Sequence, residues 1–174
     1  MTSSSDLPGL SPAHLQAWAS IATVLERLPA ALDAQLLRDS GVTHYEHGLL
    51  YALATAPDRT LRLSTLADYA NSTLSRLSRA ISRLEKKGWV RREVDPTDGR
   101  FTLAILTPEG HEQVVRANPA HHALVEELVF APLTEAQVRQ LAAICGRIAT
   151  AIDPAAPVWA PPGHLRPSPP VRRP

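Results

Sequence analysis

"LSTLADYANSTLSRLSRAISRLEKKGWVRREVDPTDGRFTLAILTPEG", Leu63 to Gly110, decides how the rest of this 174-residue chain is read. A short apolar-patterned piece breaks at Asn71, and a longer run of serine and arginine follows, closed by Gly88. On a helix of 3.6 residues per turn, Leu74, Leu77, Ile81 and Leu84 share one arc, with Ala80 beside it. The opposite arc collects Ser72, Ser75, Arg76, Arg79, Ser82, Arg83 and Lys86, with Glu85 as the one acid in the run. A solvated helix usually pairs opposite charges at i, i+4, and like charges there cost roughly a few tenths of a kcal/mol per pair. A polyanionic partner reverses that cost. Serine is short enough to let a helix axis approach a groove floor, and arginine forks onto the acceptor edge of guanine. The predicted helix start, at Ser72 and Thr73, offers free N–H groups to a phosphate.

The neighbours strengthen this reading. Ser64 is the expected cap of a two-turn helix, "TLADYAN", and a tight turn joins it to the basic helix in a helix-turn-helix pattern. In that geometry the second helix enters the major groove and the first crosses the backbone. Next come two β-rich runs around "DPTDGR", where Asp95 and Pro96 start a turn and Gly99 is expected to supply positive φ. This hairpin forms a wing over 95–101. Arg100 sits at its tip, within reach of a narrow, electronegative minor groove, and Asp98 is expected to hold Arg100 by an ion pair.

Charge is distributed to match. Residues 1–71 carry a net −3, residues 72–100 a net +4, and the remainder is balanced, within a whole chain of +1. The positive field is local, as a segment addressing a polyanion requires.

Outward from this region the chain reads as helical. Ser11 caps a helix with Pro12 at its first position, carrying a stripe of Leu15, Trp18, Ala22, Leu25, Leu28, Leu32 and Leu36. Pro29 is expected to kink or divide it. Such a stripe exceeds the needs of a small core, so part of it is expected to face another subunit. "THYEHGLLYALATAP" is a second helix ended by Pro57, and "RTLRLS" is a short extended piece. After the hairpin, Thr107 and Pro108 restart a helix that Pro119 is expected to interrupt. "TEAQ" at Thr134 to Gln137 is a capping box opening a last helix with the stripe Val138, Leu141, Cys145, Ile148 and Ile152. The fold class is therefore mainly α with a small β-hairpin wing. Residues 1–10, and the segment from Asp153 onward with its eight prolines, are expected to stay outside the folded part.

The run from Leu63 to Gly110 resembles the MarR family of winged helix-turn-helix regulators. The helix-turn-helix, the "RLEKKGWV" helix exit, the "DPTDGR" wing and the "LTPEG" helix start occur in the family's order and spacing. The resemblance covers roughly Leu10 to Ile152. It implies a winged helix-turn-helix lobe over 43–107, flanked by dimerisation helices at 11–40 and 108–152 that intertwine in a homodimer. It implies binding to palindromic double-stranded DNA, usually as a repressor released by a small ligand or by oxidation. Carried over by motif, Ser72, Ser75, Arg76 and Arg79 face the major groove, Arg83 and Lys86 lie nearer phosphates, and Arg100 enters the minor groove. Gly99 departs from the pattern, standing where many members carry a second basic residue. The resemblance also implies an effector, often an aromatic anion, for which Trp18, Tyr45, His47 and Tyr51 are the candidate lining.

Other chemistry finds little support. His44 with His47, or His121 with His122, lacks the carboxylate or cysteine needed to complete a tetrahedral site, so no metal or cofactor is expected. Cys145 reads as a small buried hydrophobe, and a single cysteine fits a reducing compartment. No G-x-S-x-G, P-loop, H-E-x-x-H or G-x-G-x-x-G motif points to an enzyme. The polar N-terminus and the lack of a long apolar run suggest a cytoplasmic protein without membrane contact. Two rival readings are a winged-helix module that binds protein and a small-molecule sensor without DNA binding.

Overall fold

The computed structural model describes residues 9–154. Of the expected terminal extensions, 1–10 and the proline-rich segment from Asp153 onward, residues 1–8 and 155–174 lie outside the described residues. Six α-helices and three strands follow in the order α1 (Pro12–Ser40), α2 (His44–Thr55), β1 (Thr60–Arg62), α3 (Leu63–Tyr69), α4 (Leu74–Lys86), β2 (Val90–Val94), β3 (Thr102–Leu106), α5 (Pro108–Val125) and α6 (Glu135–Ile152). A π-helical segment, Glu126–Phe130, extends α5.

Local chemistry sets most boundaries. Ser11, Thr43, Thr73, Thr107 and Thr134 each accept a backbone N–H into the first turn of α1, α2, α4, α5 and α6 respectively. Thr43 with Glu46 and Thr134 with Gln137 complete reciprocal capping boxes. At the exit of α4, Gly88 N–H donates to Glu85 O at 2.8 Å and Trp89 N–H to Leu84 O at 3.1 Å. These two bonds form the Schellman closure, made possible by φ +75° at Gly88.

Four expectations about elements change. Helix α1 runs unbroken through Pro29 and α5 through Pro119. Both prolines are exposed, as are Leu25 and Val115, the positions whose carbonyls each proline leaves without its helical donor, so water can serve there. Ser64 is not the cap of α3, because the helix starts at Leu63, directly out of β1, with Arg62 in the capping position and no side-chain cap bond. Helix α4 begins at Leu74, capped by Thr73, so Ser72 belongs to the turn. Leu74 itself leaves the apolar arc, being 59% exposed, because the stripe outruns the layer beneath it by one turn.

The strands form one antiparallel sheet in the order β1-β3-β2. Val90 pairs with Leu106 and Val94 with Thr102, while Thr60 pairs with Ile105 on the other edge of β3. The core joins Leu36 of α1, Leu49, Leu50 and Leu53 of α2, Leu66 of α3, Leu77, Ile81 and Leu84 of α4, and Leu106. Each such leucine contributes roughly 1.5–3 kcal/mol by burial. This packing fixes α3 and α4 against the sheet. At Gly110, a Cβ would lie 2.1 Å from Trp89 O, so only glycine lets α5 start this close to the hairpin base.

Outside this core the chain is open. Leu15, Trp18, Ile21, Val24 and Leu25 of α1 are exposed, as are Leu141, Ile144, Ile148 and Ile152 of α6. No residue of α6 is buried. Cys145 is exposed with them, contrary to the buried hydrophobe expected, because nothing among the described residues covers that stripe. Among the described residues no helix is long and apolar enough to cross a membrane.

Candidate nucleic-acid interface

Helix α4 buries Leu77, Ala80, Ile81 and Leu84 and turns Ser75, Arg76, Arg79, Arg83 and Lys86 outward. The turn before it is made by Asn71 at φ +43°, a left-handed position that asparagine tolerates. Ser72 follows, its hydroxyl accepting from Tyr45 Oη at 2.8 Å. Thr73 caps the helix through Arg76 N–H.

The arginines are not equivalent. Arg76 lies 4.4 Å over the Tyr45 ring. Arg83, which sits on the face of α4 that carries no acid, donates from Nε to Glu46 Oε1 of α2 at 2.6 Å. Sequence patterning along α4 cannot see this pair, because the carboxylate comes from α2. Arg79 and Lys86 form no ion pair among the described residues. Glu85 and Ser82 serve the other flank: both bind Arg92 of β2, clasping helix to wing. An open concavity of about 360 Å³ lies between α4 and the α1–α2 corner, lined by Asp33, Thr43, Tyr45, Arg76, Arg79 and Arg83.

The wing is built from its base upward. Asp95 is buried; its Oδ1 accepts from Thr97 N–H and Oγ1, and its Oδ2 accepts from Arg62 of β1. Those hydroxyl and amide donors, more than Arg62, hold its carboxyl below the usual range. Arg62 also stacks 4.4 Å over Phe101. Two successive turns, Asp98 N–H to Asp95 O and Phe101 N–H to Asp98 O, carry the chain around the tip. They need no left-handed residue, so Gly99 does not take the positive φ expected of it. Asp98 and Arg100 form the anticipated ion pair, with Arg100 Nη2 2.7 Å from Oδ2. Its hydrogen bonds from Arg100 draw the Asp98 carboxyl down to about 2. The Arg100 side chain is 82% exposed, a cation presented to solvent at a defined place.

The four candidate effector residues do not converge. Tyr45 lines the concavity. His47 is buried, its Nε2 3.1 Å from Asn118 Oδ1, and stacks with Tyr51 at 6.4 Å between ring centroids. Trp18 stands exposed on α1. The two histidine pairs do meet: His121 lies 5.3 Å from His44 and 4.8 Å from His47, with His122 at 6.2 Å. The i, i+3 pair on one helix and the adjacent pair on another were each visible, but their juxtaposition depends on α2 packing on α5. Burial first, then the neighbouring imidazoles, lower His121 to about 4; burial, His121 and the other rings do the same for His47. Among the described residues no group of three or more such side chains is arranged to hold a metal ion.

Known proteins share this architecture. The MarR family model matches residues 40–100. The transcriptional regulator HosA of Escherichia coli is 32% identical over 88 residues, a match spanning 51% of this chain and 64% of that regulator's length. Sco3205, a MarR family transcriptional regulator from Streptomyces coelicolor whose crystal structure is in complex with DNA, is 44% identical; the likeness covers 84% of this chain and 96% of that one, with a TM-score of 0.82. AbsC, another MarR family regulator of Streptomyces coelicolor, is 28% identical over 84% of this chain and 98% of its own, with a TM-score of 0.80. A likeness running through the flanking helices as well as the helix-turn-helix and wing leads to one conclusion: this chain belongs to the MarR family of transcriptional regulators.

Proposed function

We propose that this protein is a cytoplasmic, homodimeric, sequence-specific double-stranded DNA-binding regulator, acting as a repressor. The observation that carries the reading is α4: a helix held rigidly by its leucines, with Ser75, Arg76 and Arg79 turned outward and a clamped Arg100 at the wing beyond it. In this reading Ser72, Thr73, Ser75, Arg76 and Arg79 face the major groove, Arg83 and Lys86 approach phosphates, and Arg100, oriented by Asp98, enters the minor groove. Exposed Leu74 joins them as an apolar contact for a thymine methyl. That Sco3205 was crystallised in complex with DNA supports DNA binding as the function.

The dimer follows from the uncovered helices. An 18-residue helix such as α6, with nothing buried, is marginal alone in water. The exposed stripes of α1 and α6 are what a second copy would cover, making 11–40 and 108–152 the dimerisation helices around a DNA-binding lobe at 43–107. Paired recognition helices then sit one DNA turn apart, ~34 Å. For an effector, the concavity beside Tyr45 suits an aromatic anion, which would compete with DNA for Arg76 and Arg79.

Footprinting on a pool of random duplex fragments tests the reading. A palindromic protected site with steep salt dependence supports it. Sequence-blind retention, or none at low salt, overturns it in favour of a protein-binding or sensor module.

A further inference from the structure

We infer that Tyr45 and Glu46, adjacent in the first turn of α2, are positioning residues that set how α4 reads DNA, Tyr45 by fixing Arg76 and Glu46 by holding and neutralising Arg83; the inference rests on the DNA-binding reading above. Tyr45 is gripped at both ends. Its hydroxyl donates to Ser72 Oγ at 2.8 Å, just before the cap of α4, and its ring face lies 4.4 Å from the Arg76 guanidinium. Glu46 is 5% exposed and fixed from two sides. Its Oε2 accepts Thr43 N–H at 3.1 Å in the capping box, while Oε1 accepts Arg83 Nε at 2.6 Å. Helix α2 cannot yield easily, because Leu49, Leu50 and Leu53 are buried in the core.

Arg76 and Arg83 are seven residues apart, two turns along one face of α4, and Arg79 stands between them. Among the described residues the outer two are held from outside the helix while the middle one forms no ion pair. A guanidinium held over a ring face loses orientational freedom, and a restricted orientation favours bidentate recognition of a base edge. Tyr45 therefore acts on discrimination between sequences more than on general affinity. Glu46 acts in the opposite sense on general affinity, since it cancels charge that Arg83 would otherwise offer to phosphate.

The test uses the full chain, a duplex selected by the wild-type protein from a randomised pool, and a mixed-sequence duplex, titrated by fluorescence anisotropy at several salt concentrations. Tyr45→Leu is expected to lower the ratio of selected to mixed-sequence affinity by about five- to tenfold, and Tyr45→Phe to retain it within about twofold. In an Arg76→Ala background Tyr45→Leu should cause no further loss. Glu46→Gln should bind the mixed-sequence duplex more tightly and with a steeper salt slope, a gain that structural damage does not produce. A Tyr45→Leu ratio equal to wild type, an undiminished loss in the Arg76→Ala background, or weaker mixed-sequence binding by Glu46→Gln would each overturn the assignment. Should Tyr45→Leu fail to fold, the Tyr45→Phe and Glu46→Gln results decide it. A wild-type protein that selects no sequence overturns the DNA-binding reading itself, and is recognised before any variant is compared.

Discussion

Arg100 is held by Asp98 through both forks of its guanidinium, Nε to Oδ1 at 3.0 Å and Nη2 to Oδ2 at 2.7 Å, while its own backbone N–H donates to Oδ1 at 3.2 Å. One carboxylate thus fixes the turn and aims the cation it carries. With Asp98 titrating near 2, the clamp stays charged throughout the neutral range. We predict that Arg100→Ala weakens binding by about 1–3 kcal/mol where the flanking minor groove is narrow, and less elsewhere. Asp98→Asn, which keeps the shape and loses the charge, should give a fraction of the same loss. Affinities on A·T-tract and G·C-rich flanks check this; equal losses on both would remove Arg100 from the groove.

Arg79 should behave differently from its neighbours on α4. It is exposed and forms no ion pair among the described residues, so its guanidinium is fully available to a base. Arg79→Ala is expected to cost about 1–3 kcal/mol on the selected duplex and to relax preference at one base pair in each half-site. A mutant that loses affinity uniformly across sequences would show Arg79 to be a phosphate contact.

These two residues mark what was legible in the sequence. The faces of α4, the hairpin and the Asp98–Arg100 pair depend on contacts within a few residues, where helical period and turn chemistry suffice. The Arg83–Glu46 pair, the Arg62–Asp95 tie and the meeting of His44 and His47 with His121 span 33 residues or more and exist only through packing. The prolines misled for a related reason. A missing N–H at Pro29 or Pro119 is costly only where water cannot replace it, and exposure is a property of the fold.

Gly110 carries a prediction about stability. Its missing Cβ is what lets α5 start against the hairpin base, where Trp89 O also accepts Thr107 N–H at 3.0 Å and Thr107 Oγ1 donates to Gly88 O at 2.7 Å. Alanine there would meet the Trp89 carbonyl at a distance no real Cβ occupies. Helix propensity favours alanine over glycine by about 1 kcal/mol, and the clash should outweigh it, leaving Gly110→Ala destabilised by up to about 2 kcal/mol. Gly48, with open space around its Cβ position, is the control: Gly48→Ala should be neutral or stabilising. Thermal melts of the two variants decide it, and equal midpoints would mean α5 can shift at no cost.

Acid should loosen the junction of α2 and α5. His47 and His121 titrate near 4 in the folded chain against 6.5 when unperturbed, and His44 is lowered as well, chiefly by burial. The groups around them are His122, which adds repulsion, Asn118, which bonds His47, and Asp33, which partly offsets the effect at His44. Between pH 6.5 and 4 the unfolded chain therefore binds protons that the folded one does not. Stability is full above 6.5 and falls as pH drops through this window. The clamped carboxylates Asp95 and Asp98 add their own loss only lower, below the ordinary carboxylate range near ~3.9. Chemical denaturation at a series of pH values should show this slope, and replacing His121 by glutamine should flatten it whatever its effect on stability at neutral pH. An unchanged slope in that variant would mean that the His121 imidazole is solvated well enough to titrate normally.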